Sequence, residues 1–75
     1  MTDLEVYTGE VIWFQHGIGF ISWEKDGVKQ ADMFCHFSDL TMVGFKLLKA
    51  GQKVSFSIGQ NNAGKPKAIN VTVIG

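Results

Sequence analysis

The residues with chemistry to offer are rings set at every second position. Phe20 closes Gly17-Ile18-Gly19-Phe20, Phe34 and His36 alternate within Met33-Phe34-Cys35-His36-Phe37, and Trp13 sits in Gly9-Glu10-Val11-Ile12-Trp13-Phe14. Side chains two apart on a strand share a face, so Ile18 goes with Phe20 and Phe34 goes with His36. If the three runs are neighbours in one sheet, Trp13, Phe20, Phe34 and His36 gather on a single surface. Several rings bare to water form an apolar patch of the kind that marks a binding site. The chemistry open to it is stacking: an unpaired nucleobase lying on an aromatic side chain contributes on the order of 1–3 kcal/mol. Gly17 and Gly19, beside the rings, would lower the surface so that a base lies flat. Lysines in flanking loops would then meet phosphates.

Other chemistries fit these residues poorly. A metal site from His16, Cys35 and His36 fails because Cys35 and His36 are adjacent on a strand and point to opposite faces, and there is no second cysteine. Cys35 as a nucleophile is predicted inside, with no basic partner on its face. The acids are scattered singly, so no carboxylate pair suggests hydrolysis. Gly17-Ile18-Gly19 is not a dinucleotide fingerprint, since no helix follows it. No enzyme activity and no cofactor are expected.

The bulk numbers agree with one small binding domain over residues 1–75. The chain is 45% hydrophobic and 19% charged, a globular composition. Its seven basic residues are all lysines and balance seven acids, so the formal charge is zero. No long-range field pulls it toward nucleic acid or an anionic membrane, although a binding face can be locally basic. A lone cysteine cannot form an internal disulfide. No charged-then-apolar leader opens the sequence and no apolar run approaches membrane-spanning length. These features predict a cytoplasmic protein with no membrane partner.

The elements that must position the rings are short. Gly9–Phe14 reads as the first strand, Gln15-His16-Gly17 as a turn and Ile18–Glu24 as the second strand of an antiparallel hairpin. The polar stretch from Lys25 to Asp32 reads as a looser connection, and Met33–Phe37 as the third strand. Ser38-Asp39-Leu40 looks like a helical turn capped by Ser38, and Thr41 to Lys49 like a long loop. In Gln52–Ile58, Val54, Phe56 and Ile58 alternate with polar residues, the pattern of a half-buried strand. A turn cluster from Gln60 to Pro66 precedes the last strand, Lys67–Ile74. Five short strands without a long helix predict an all-β, five-stranded antiparallel barrel, which leaves no exposed sheet edge.

One side of every strand must fill so small a barrel. Val11, Ile21, Met33, Cys35, Val54, Phe56, Ile58 and Val71 are the interior candidates, with Trp23 in the core or at a barrel end. If Met33 and Cys35 point in, Phe34 and His36 must point out. If Ile21 points in, Phe20 points out.

Taken together these residues resemble the cold-shock domain. The resemblance runs through Gly9–Phe14, Gly17–Ile21 and Met33–Ser38, continues in Gly44-Phe45-Lys46 and Gly51-Gln52-Lys53-Val54, and ends at Ala68–Val71. It implies an OB-fold barrel that binds single-stranded RNA and DNA, with a role as an RNA chaperone or a regulator of transcription or translation. By position, it implies a stacking set of Trp13, Phe20, Phe34, His36, Phe37 and Phe45, with Ile18 where the family usually has Phe. Asp32 matches a position that hydrogen-bonds near the bases, whereas Asp39 reads as a turn residue. Ile12 stands where the family usually has Lys, Gln15 where it has Asn, and the first turn is about two residues short. Lys65 and Lys67, with Lys46, are the candidates to compensate. The sequence thus predicts weaker binding than a typical member and a shallow salt dependence. The competing reading is a protein-interaction or self-associating barrel, because Ile12 and Ile18 make the face more apolar and less basic. A monomer is expected under the first reading and a dimer under the second.

Overall fold

The structure, a computed structural model, describes residues 5–41 and 47–75. Strands β1 (Tyr7–Gln15), β2 (Ile18–Lys25), β3 (Val28–Lys29), β4 (Met33–His36), β5 (Lys53–Gln60) and β6 (Pro66–Val73) follow one another, with a 3-10 turn over Phe37–Asp39 after β4. All strand pairs are antiparallel, in the order β3-β2-β1-β5-β6, with β4 also on β2. A parallel bridge between Leu40 and Val71, with Thr41 N–H donating to Val71 O at 2.9 Å, ties the end of the β4 segment to β6. The wall is therefore the five-stranded antiparallel OB-fold barrel expected, and the two-residue β3 extends only the far end of β2.

Val11, Ile21, Met33, Cys35, Val54, Phe56 and Val71 are buried as the alternation requires, and Ile58 packs partly buried against them. Leu40, Leu48 and Ala68 complete the core. Trp23 plugs one end of the barrel, its ring 5.0 Å from Tyr7 and edge-on to Phe56 at 5.6 Å. Its indole N–H donates to Ala31 O at 2.9 Å, which satisfies the buried donor and pins the segment leading into β4.

Two local expectations change. The stretch after β2 is a tight hairpin and not a loose connection: Asp26 and Gly27 both have positive φ, 54° and 79°, the type I′ turn that Asp-Gly favours. The 3-10 turn is capped by His36 and not by Ser38. The Ser38 N–H donates to His36 Nδ1 at 3.2 Å, so the last ring of the strand also starts the turn.

Candidate nucleic-acid interface

Strand register builds the ring surface. Trp13 pairs with Phe20 across β1 and β2, and Phe20 pairs with Phe34 across β2 and β4. One row of rings thus crosses three strands, with centroids 5.5 Å apart from Trp13 to Phe20 and 5.8 Å from Phe20 to Phe34. The next row on this face pairs Ile18 with His36. The rows beneath them hold Ile21 opposite Met33 and Gly19 opposite Cys35, all buried. Phe20, Phe34 and His36 are half-buried on the outer side of the wall and absent from the core.

Trp13 reaches this face through a bulge. Val11 is fully buried, and a straight strand would send Trp13 to the same interior side. The register instead shifts between Val11 and Trp13, leaving Ile12 without a partner on β2. The extra residue turns the strand over: Ile12 and Trp13 are both exposed, at 40% and 38%, and Phe14 turns inward against the core. Simple alternation does not contain this step.

The same step explains Gly19. A Cβ there would lie 2.4 Å from Trp13 O and 2.8 Å from Phe14 Cδ2, so the missing side chain makes room beneath the bulge for Phe14. Gly17 has φ +81° in the β1–β2 turn, and the Phe37 ring sits 2.9 Å from where its Cβ would be. Both glycines admit rings of this chain, which corrects the expectation that they lower the surface for a base.

Phe37, exposed at 46%, is fixed by its backbone. Its N–H donates to Gly17 O at 2.8 Å, and its ring lies 4.5 Å from His36 at 37°. The Ser38 hydroxyl is 2.8 Å from His36 Nδ1, the atom that already accepts the Ser38 N–H. The Ser38 N–H can only donate, so in the neutral ring Nδ1 is the acceptor and the proton sits on Nε2.

The polar candidates have partners of their own. Asp32 is exposed beside β4 and pairs with Lys29 at 3.3 Å. Lys65 is exposed in the β5–β6 turn, where its N–H donates to Asn61 Oδ1 at 3.0 Å. Lys67 turns to Asp39, with Nζ 3.1 Å from Oδ2. Asp39, which the sequence marks only as a turn residue, is thereby joined to the site, and no local pattern announces a partner 28 residues away. Phe45 and Lys46 lie outside the described residues. Cys35 is buried under this face, and burial pushes its thiol up to about 11, with the charge of Asp39 adding to the rise. No described helix is long and apolar enough to cross a membrane.

Comparisons with known proteins agree with this geometry. The family profile described as 'Cold-shock' DNA-binding domain matches residues 7–74. A "Cold shock-like protein" of Aquifex aeolicus is 45% identical over 71 residues, covering 92% of this chain and 96% of its own length. The "Cold shock-like protein CspA" of Vibrio cholerae is 44% identical over 69 residues, covering 89% and 93%. The "Major cold shock protein CspA" of Bacillus cereus is 48% identical over 64 residues, covering 85% and 91%. Among solved structures, "drosophila Unr CSD456" superposes with a TM-score of 0.76 at 20% identity, over 96% of this chain and 28% of that one. That likeness concerns the fold.

Proposed function

The chain belongs to the cold-shock domain family and is a nucleic-acid-binding protein, and on that premise we propose that it takes single-stranded RNA or DNA across the β1-β2-β4 face. The observation that carries this reading is the row Trp13–Phe20–Phe34, three rings on adjacent strands turned away from a core already filled. Neighbouring rings are inclined to one another, at 56° and 69°, so they present separate platforms to bases that are not stacked on each other. A duplex hides its base faces and has nothing to lay on such a surface. His36, Phe37 and Ile18 extend the platform, and Phe45 is proposed to join it from the segment that follows. Asp32 hydrogen-bonds near the bases, Lys65 meets a phosphate at the border, and the role of Lys67 depends on Asp39.

No step of this function breaks a covalent bond. Each contact is modest, so bases exchange readily, which suits a chaperone that keeps RNA from refolding. A monomer in the cytoplasm fits that role. The test is a fluorescence titration with oligo-dT and with a duplex of equal length. Trp23 is buried, so quenching by the single strand should come from Trp13 and vanish in Trp13→Phe, with little response to the duplex. An unresponsive Trp13, together with association that grows with protein concentration, would favour a protein-binding face in place of this one.

A further inference from the structure

We infer that Asp39 masks Lys67, so that Lys67 holds the turn bearing Phe37 in place and supplies no charge to the phosphate track. The two side chains come from opposite sides of the barrel seam. Asp39 ends the 3-10 turn that begins at Phe37, and Lys67 is the second residue of β6. Among the described residues β4 has no strand ladder with β6 across this seam, and the next ties are the Leu40–Val71 bridge and the bonds of Thr41 to Val71 and Thr72. Nζ of Lys67 lies 3.1 Å from Asp39 Oδ2, and the side chains are only 23% and 17% exposed. The other two ion pairs among the described residues, Lys29–Asp32 and Lys53–Glu10, are about half exposed or more. Bulk salt screens such exposed pairs far more than a sheltered one.

The chemistry of Asp39 requires the partner. Its Oδ2 is closed to solvent and makes no aligned hydrogen bond among the described residues. The contact with Lys67 is thus a close ion pair set off the hydrogen-bond axis, and the ammonium is what compensates a sheltered carboxylate. A buried charge left alone is strongly unfavourable. Lys67 therefore does not leave Asp39 to neutralise a phosphate, and it releases no counterion when a strand binds. Its effect on binding runs through the seam, by fixing the turn on which Phe37 stands over Gly17.

The inference rests on the single-strand reading for its salt arm and stands apart from it for its stability arm. In oligo-dT titrations between 50 and 200 mM salt, Lys67→Gln should leave the slope of log affinity against log salt as in the parent. Asp39→Asn should release the lysine and steepen that slope by roughly 0.7, about 2.6-fold more affinity lost over the interval. The double variant Asp39→Asn/Lys67→Gln should return to the parent slope, which separates a freed lysine from mere removal of a negative charge. A slope lowered by Lys67→Gln, or unmoved by Asp39→Asn, would overturn the mask. Thermal melts without nucleic acid supply the second arm: the double variant should lose less than the two single losses summed, and additive losses would overturn the pair. Failure of the parent to bind oligo-dT, with coupling intact in the melts, would count against the function and not against the pair.

Discussion

At the scale of single residues, the ring face and the core make opposite demands that can be measured separately. Phe20 and Phe34 are half-buried on the outer wall, and each meets a ring on the neighbouring strand. Phe20→Ala and Phe34→Ala should each weaken oligonucleotide affinity by about 1–3 kcal/mol while the barrel still melts cooperatively. Titration followed by a thermal melt checks this, and unchanged affinity in both variants would remove the site. Cys35 tests the other side of the same strand. Burial raises its thiol from 9.0 to about 11, so the folded state disfavours the thiolate relative to the unfolded chain. A raised folded pKa gives stability that is full below about 9 and lost as pH climbs toward 11. Urea melts at pH 8 and pH 10.5 should therefore show a larger drop for the parent than for Cys35→Ala. Parallel drops would mean that the thiol is reachable by water in the fold. Asp39 contributes to this rise, so Asp39→Asn should make the thiol easier to ionise.

At the scale of elements, the bulge at Ile12 organises β1 and β2 together. It sends Trp13 outward, lays Phe14 over Gly19 and leaves no volume for a side chain at Gly19. Gly19→Ala should cost at least the 1–3 kcal/mol typical of overpacking, because the atoms its Cβ would meet include backbone that cannot swing away. Gly27→Ala, with nothing within 4 Å of its Cβ, should cost only the conformational penalty of its positive φ. Denaturant midpoints of the two variants measure the contrast, and equal losses would refute the close approach. The same elements show what could be read without coordinates. Alternation alone places Phe20, Phe34 and His36 outside, because Ile21, Met33 and Cys35 have to be inside. It cannot place Trp13, which shares parity with buried Val11; the bulge that separates them costs one residue and leaves no compositional trace. A second irregularity in β5–β6, with Asn70 at φ 52°, likewise lets Ala68 and Val71 both point inward three residues apart. The polar run around Asp26-Gly27 hid a two-residue hairpin turn behind the look of a loose connection, and the cap supplied by His36 was hidden too, since imidazole is rarely the group that opens a turn. Long-range pairs such as Lys67–Asp39 depend on how the seam closes, which no local window contains.

At the scale of the whole molecule, the charge ledger decides how binding responds to salt. Seven lysines face seven acids, and three of the described lysines, Lys29, Lys53 and Lys67, sit in ion pairs. The face carries apolar Ile12 and Ile18 beside its rings, at 40% and 36% exposure, where a basic residue would have added a phosphate contact. On the proposed single-strand reading, attraction comes chiefly from stacking, which salt does not screen, and only a few counterions leave on binding. With two phosphates neutralised, by Lys65 and by Lys46 from the segment outside the described residues, the slope of log affinity against log salt is roughly −1.4. Raising salt from 50 to 200 mM should then weaken oligo-dT binding about sevenfold, against the thousandfold or more of proteins that grip six or more phosphates. The same titration with a duplex should give weak binding at every salt concentration, because neither stacking nor net charge is available to it. A slope of −4 or steeper, or comparable affinity for duplex, would mean that phosphates and not rings hold the ligand. The aromatic row would then be covering something other than bases.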